Sequence, residues 1–139
     1  MHHQRLHIEK AVHHAFLTAA LLTADLQRAE AAVAETIRLK NPGESLDPVL
    51  FRQAIKATAG GPREIAGENL RDVMAAVPDE LCGVVRLPNR FRHCFVLRVL
   101  CGLSRESCSE LLDQTISEVD ANTHSAIETL SHGVDSLAA

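Results

Sequence analysis

The residues of this sequence best suited to chemistry are its histidines and cysteines. Five histidines lie within the first fourteen residues, and His3 and His7 have the i, i+4 spacing that places two imidazoles on one helix face. A zinc site needs at least a third ligand, and no cysteine or well-placed acid accompanies this pair. We therefore interpret the segment as solvated and predict no metal site.

The cysteines suggest a second kind of site. Cys94, Cys101 and Cys108 are spaced seven apart, which raises a redox or metal hypothesis, but they fall on different predicted helices and form no CxxC pair. Without a signal peptide, free buried thiols in a reducing compartment are expected. No nucleophile–base pair or Gly-rich phosphate loop is present. The sequence predicts no enzyme, no cofactor and no small-molecule substrate.

Composition and charge limit the partners. The 139 residues carry a formal net charge of -4, so nothing attracts nucleic acid overall. The charges are unevenly placed, because the stretch from Arg86 to Arg105 holds five arginines and no acid, whereas everything after Arg105 holds seven acids and no Lys or Arg. No apolar run reaches the length of a membrane span. We expect a cytoplasmic protein.

The elements that must position these residues are helical. Apolar residues recur at three- and four-residue steps in an Ala- and Leu-rich chain with only 3% aromatics, which favours an all-α fold. We expect an N-terminal helical lobe over 1–77, a linker over 78–86, a C-terminal lobe over 87–131 and a tail over 132–139. The predicted helices are 8–22, 26–39, 47–59, 64–76, 87–101, 105–112 and 117–130.

Several residues predict where these helices begin and end. Asp25 and Ser104 are expected N-caps, and Asp47-Pro48 pairs a cap with a proline suited to a first helical turn. Asn41-Pro42-Gly43, Gly60-Gly61-Pro62 and Gly102 are expected stops.

The C-terminal lobe carries a more specific pattern. Its parts, in order, are Leu87-Pro88, Phe95-Val96-Leu97-Arg98, Gly102-Leu103-Ser104, Glu110-Leu111-Leu112, Val119 and His124-Ser125-Ala126. In this order and spacing they resemble the promoter-reading C-terminal region, region 4, of extracytoplasmic-function sigma factors of the sigma-70 family. The resemblance covers 87–130 and implies a helix-turn-helix.

The N-terminal lobe resembles part of region 2 of the same family. Leu21-Leu22-Thr23-Ala24-Asp25 and the following Ala29-Glu30, Val33 and Glu35-Thr36 are similar to a segment that binds core RNA polymerase. The resemblance implies that Asp25, Glu30, Glu35 and Arg38 face that partner. A complete sigma factor is usually longer, so the chain resembles a truncated, diverged member.

The last helix departs from the family at the positions that hold DNA. Family members carry Lys or Arg where this chain has Asp120, Asn122, Ser125 and Ile127, and Thr is usual in place of Glu118. Phosphate neutralisation supplies much of the affinity of such domains, so acids there oppose binding. The DNA-facing set implied by the resemblance, weakened by these changes, is Ser117, Glu118, Asp120, Ala121, Asn122, His124, Ser125 and Arg105.

The stretch before this helix holds the chain's only concentration of arginines, and two interpretations of it stay open. Arg86, Arg90, Arg92, Arg98 and Arg105 either contact phosphate or form a solvated face that pairs with the acidic last helix or with a partner protein. Arg98 occupies a position common in the family and is expected to be structural.

The sequence thus supports two functional hypotheses. The first is a sigma-factor-like protein of bacterial transcription initiation or regulation that binds core RNA polymerase or a sigma regulator and contacts promoter DNA weakly. The alternative is a protein-interaction module that retains the sigma-factor fold and no longer binds DNA. Charge on the last helix distinguishes them, because only the first hypothesis requires salt-dependent binding to a duplex.

Overall fold

The computed structural model describes residues 2–41, 43, 46–59 and 67–138, with side chains for 10–41, 43, 46–58 and 70–132. All regular elements within these residues are helical, which confirms the all-α class. None of the described helices has the length and apolar character needed to cross a bilayer. The helices are α1 (His2–Thr23), α2 (Leu26–Leu39), α3 (Leu46–Ala59), α4 (Gly67–Ala76), α5 (Cys82–Val85), α6 (Asn89–Phe95), α7 (Arg105–Leu112) and α8 (Ile116–Ala138).

The chain divides into two compact units, unit 1 (Met1–Val77) and unit 2 (Pro78–Ala139). In unit 1, helices α1, α2 and α3 pack against one another and α4 contacts α2. Many of the fully buried positions are alanines, which let the helix backbones approach closely, while Leu22, Leu50 and Val73 fill the remaining space. The core of unit 1 is therefore apolar and built largely from small side chains.

The junction between α1 and α2 is a sharp turn. Ala24 has a positive φ of 53°, which ends α1, and the Asp25 carboxylate accepts a hydrogen bond from the Arg28 amide at 3.1 Å. The Thr23 hydroxyl donates to the Ala19 carbonyl at 2.7 Å and so satisfies a carbonyl of the last turn of α1. The predicted break and the predicted cap at Asp25 are both confirmed.

In unit 2, α6 and α7 each pack against α8, and α5 contacts both α6 and α8. A π-helical turn, Val96–Leu100, extends α6. The chain leaves the helix two residues later at Gly102, whose φ is 74°. A three-residue turn, 113–115, then separates α7 from α8. The Ser104 hydroxyl caps α7 by accepting from the Ser107 amide at 3.1 Å. The expected cap at Ser104 and stop at Gly102 are confirmed.

Some expected boundaries differ in the structure. The segment 78–86, expected to be a linker, contains a 3-10 turn (Asp79–Leu81) and α5, and it belongs to unit 2 because Val84 and Val85 are buried there. Helix α1 begins at His2 rather than at residue 8, and α8 continues to Ala138 through the expected tail. Helix α3 begins at Leu46, one residue before the expected cap. Gly60-Gly61-Pro62 and Pro42 lie outside the described residues.

Candidate interaction surfaces

Unit 1 has an open apolar groove between α1 and α2. Its volume is about 610 Å³, and its lining residues are Val12, His13, Phe16, Glu30, Val33, Ala34 and Ile37. Ile37 is 53% exposed. The residues that α2 buries are Ala29, Ala32, Val33 and Thr36, and Ile37 lies to one side of this buried face. The groove is therefore a part of unit 1 that can accept apolar side chains from outside.

The residues predicted to face polymerase lie along α2, and only one of them lines this groove. Glu30 is exposed at its edge. Asp25 is occupied as the N-cap of α2. Glu35 and Arg38 form an exposed ion pair one turn apart, and the hydrogen bond from Arg38 lowers the pKa of Glu35. The apolar residues Phe16 and Ile37, rather than the predicted charges, form most of this surface.

Arg92 in unit 2 is buried, which contradicts both interpretations of the arginine-rich stretch at this position. The side chain is 1% exposed and donates to the Leu87 carbonyl at 2.9 Å and to the Asn89 side chain. Burial lowers its pKa to about 10, so the guanidinium stays charged at neutral pH. Arg92 holds the start of α6 in place and contacts neither phosphate nor solvent.

The remaining arginines of this stretch divide into bound and exposed ones. Arg98 donates to the Leu103 carbonyl at 2.7 Å, and so ties the π-helical turn to the residue after Gly102. This contact bears out the structural role expected for Arg98. Arg86 and Arg90 are exposed. Within the stretch 86–105, they are the arginines before α7 whose charge is available at the surface.

Helix α8 begins with a capping box that the sequence analysis missed. The Glu118 amide donates to the Thr115 hydroxyl at 3.1 Å, and the Thr115 amide donates to a Glu118 carboxylate oxygen at 3.3 Å. This reciprocal pair satisfies two backbone donors at the start of the helix. The negative carboxylate is also attracted to the positive end of the helix dipole. Glu118, predicted to face DNA, is thus engaged in starting its own helix. The Thr-x-x-Glu spacing was the available signal.

Three further predicted DNA-facing residues have partners within unit 2. Arg105, at the start of α7, donates to Asp120 of α8 at 3.1 Å, with both side chains about half exposed. His124 lies 3.1 Å from Glu128 one turn along α8. The Arg105–Asp120 pair agrees with the interpretation in which the arginines pair with the acidic last helix.

The other predicted DNA-facing residues differ in exposure. Ser117 and Ala121 are exposed, whereas Asn122 and Ser125 are half-buried. The Asn122 side chain donates to the Gln114 side-chain oxygen at 3.2 Å, in the turn before α8. Asn122 therefore anchors α8 to the turn, a role that its position in the sequence did not show.

The thiols of unit 2 are structural where they are buried. Cys94 and Cys108 are fully buried, and the Cys94 thiol contacts the Gln114 side-chain oxygen at 3.6 Å. Burial raises the pKa of Cys94 to about 11 and also raises the pKa of Cys108. Thiols with such pKa values are poor nucleophiles and poor metal ligands at neutral pH. No cluster that could hold a metal ion occurs among the described residues.

The comparisons with known proteins add no family to these observations. No family model matches the chain, and no curated protein matches it. The resemblance to sigma factors therefore rests on the residues and their order.

Proposed function

We propose that this chain is a sigma-factor-like protein of bacterial transcription that works through protein contacts, with unit 1 binding core RNA polymerase or a sigma regulator. The observation that carries the proposal is the apolar groove between α1 and α2, where Ile37 is 53% exposed. Clustered apolar exposure beside polar residues is typical of protein-binding surfaces.

The groove suits a helix of a protein partner. Its lining combines the apolar residues Phe16, Val33 and Ala34 with the polar residues His13 and Glu30. A helix that buries aliphatic side chains in such a groove is one of the recurrent modes of peptide recognition. The resemblance of this same segment to the polymerase-binding part of sigma factors gives the partner we favour.

Unit 2, in this proposal, is a helix-turn-helix formed by α7, the turn 113–115 and α8, with a reduced capacity for DNA. Arg92 and Arg98 are committed to carbonyl oxygens within the unit, and Arg105 is paired with Asp120. The exposed face of α8 carries carboxylates, which would repel the phosphates of DNA and so oppose binding. Arg86 and Arg90 support the weak promoter contact that the resemblance implies.

The test is capture of purified bacterial core RNA polymerase by the tagged full chain. We expect retention by the wild-type chain and loss with Ile37→Asp, because a carboxylate cannot be buried in the groove without a partner. Ile127→Asp, a matched change of an exposed isoleucine in unit 2, is the control and should leave retention unchanged.

A second measurement tests promoter contact. Anisotropy titrations with a promoter-like duplex should show only weak binding that disappears as salt is raised.

Equal retention of polymerase by the wild-type and Ile37→Asp chains would overturn the role of the groove. Tight, sequence-dependent duplex binding would overturn the reduced capacity for DNA proposed for unit 2.

A further inference from the structure

Helix α8 has aliphatic side chains that unit 2 leaves partly exposed along one side, next to a half-buried threonine, Thr123, whose hydroxyl donates to the Val119 carbonyl at 2.7 Å. Residues at steps of four, three and four lie on one side of a helix, and on α8 these are Ile116, Asp120, Thr123 and Ile127, here called the α8 stripe. Ile116 is 40% exposed and Ile127 is 44% exposed. The stripe thus has an aliphatic side chain at each end and a carboxylate between them.

This spacing is the one by which two helices pack along their length. Apolar side chains at such positions fit into the spaces of a facing helix, and a single polar residue in the row selects the partner and its register. Over eleven residues the stripe covers about 16 Å, or roughly three helical turns. A flat or irregular partner would not match a straight row of this kind.

The charge of the stripe identifies the partner chemistry. Asp120 already accepts a guanidinium, from Arg105 at 3.1 Å, so its carboxylate is accessible to a cation in a hydrogen-bonding position. The surrounding exposed residues of α7, the turn and α8 add to the negative charge. They are Glu106, Glu110, Asp113, Glu118 and Glu128.

A second copy of the same stripe is a poor occupant. Helix α8 carries Glu118, Asp120 and Glu128 and no Lys or Arg, so two copies packed along this helix would set like charges against each other, which is unfavourable across an interface. Nucleic acid is also a poor occupant, since phosphate would meet the same carboxylates.

We propose that the α8 stripe binds an amphipathic helix of another protein, one that sets an Arg or Lys against Asp120 between aliphatic residues packed on Ile116 and Ile127. This deepens the protein-contact role proposed for unit 2. It does not depend on the partner of unit 1, so failure of polymerase capture and failure of this binding are separate results.

The test uses the isotope-labelled full chain and two stapled helical peptides of about four turns. Both peptides carry leucines at the spacing of the stripe, and they differ only at the central position, which is Arg in one and Glu in the other. We expect NMR shift changes centred on residues 116–127, with the Arg peptide at least about tenfold tighter than the Glu peptide.

Variants then separate this site from general charge attraction. Asp120→Lys should reverse the preference between the two peptides, and Ile127→Ser should weaken the Arg peptide by about tenfold. Leu39→Ser, a comparable change at an exposed aliphatic residue of unit 1 that does not line the groove, should leave affinity unchanged. Asp120→Asn, a milder change, should abolish the preference without reversing it.

Several outcomes would overturn the proposal. They are an absence of binding by either peptide, equal affinity for both, shift changes centred outside α8, an unaltered preference in Asp120→Lys, or a duplex that binds at the stripe more tightly than the Arg peptide. Concentration-dependent dimerisation through these residues, measured by sedimentation, would assign the stripe to a second copy instead.

Discussion

Unit 1 and unit 2 solve the problem of a small helical core in different ways. Unit 1 packs alanines closely and leaves Ile37 and Phe16 along an open groove. Unit 2 places a charged residue, Arg92, inside its packed region and fixes it by hydrogen bonds to a carbonyl and an amide oxygen. In unit 1 the proposed binding surface consists of apolar residues that are not fully buried by the other helices. In unit 2 several charged side chains, among them Arg92, Arg98 and Arg105, bind oxygen atoms of the same unit.

The difference shows that charge in a sequence is weak evidence of a binding surface until its partner is known. Arg105 and Glu118 both belong to the predicted DNA-facing set, yet each has a partner within unit 2. Ile37 is apolar and yet lines an open groove, where it is 53% exposed. The following changes test this contrast, beginning with the largest expected effect.

Arg92→Ala should destabilise unit 2 the most. It leaves the buried carbonyl oxygen of Leu87 without the guanidinium donor and removes a large buried side chain, so we expect the free energy of unfolding to fall by about 3 kcal/mol. Urea titration followed by amide NMR signals of unit 2 measures the change. Arg90→Ala, at an exposed position nearby, should stay within about 0.5 kcal/mol of wild type. If both variants were equally stable, Arg92 would not be a structural residue.

Thiol labelling reports on unit 2 alone and needs no mutation, because all four cysteines lie in that unit. With the pKa of Cys94 raised to about 11 from an ordinary 9.0, its thiolate fraction at pH 8 falls about a hundredfold. Timed reaction with a disulfide reagent, read by peptide mass, should label Cys82 and Cys101 first and Cys94 and Cys108 last. Equal rates in the native chain would show that the packed region of unit 2 opens readily, and urea provides the control in which all four react alike.

Thr115→Ala tests the capping box of α8. Loss of the hydroxyl that accepts from the Glu118 amide should lower the free energy of unfolding of unit 2 by about 1 kcal/mol. Thr115→Ser should restore most of it, because serine is an equally good cap. Thr129→Ala is the control, since that hydroxyl bonds to the Ser125 carbonyl within an exposed part of the helix. An identical cost at both threonines would argue against a specific cap.

Arg105→Ala should have the smallest effect on stability. Exposed ion pairs contribute little, so we expect a change of about 0.5 kcal/mol or less in thermal or urea unfolding, and less still at high salt. A loss of several times this size would mean that the pair with Asp120 holds α7 against α8. That result would make the polar side chains at the surface of unit 2 as important as Arg92 within it.

The helical class, the cap at Asp25, the cap at Ser104 and the stop at Gly102 could be predicted because each depends on a few neighbouring residues. The groove could not, since the exposure of Ile37 depends on how far the alanines let α1 and α2 approach, which is a tertiary property. The burial of Arg92 was equally hidden, because its oxygen partners, the Leu87 carbonyl before α6 and the Asn89 side chain at its start, meet the guanidinium only when α6 is packed in place. The capping box at Thr115 and Glu118 was visible in the sequence and was obscured by assigning Glu118 to DNA contact.

The pairing of Arg105 with Asp120 has a consequence for any cation that approaches α8. Arg105 belongs to the same chain, so it acts as a tethered competitor whose effective concentration at Asp120 is on the order of millimolar or above. A free cation at lower concentration competes poorly with Arg105, whereas the proposed helix also gains apolar contacts with Ile116 and Ile127. Because an exposed pair contributes about 0.5 kcal/mol or less, Arg105 weakens a competing cation at Asp120 by about twofold.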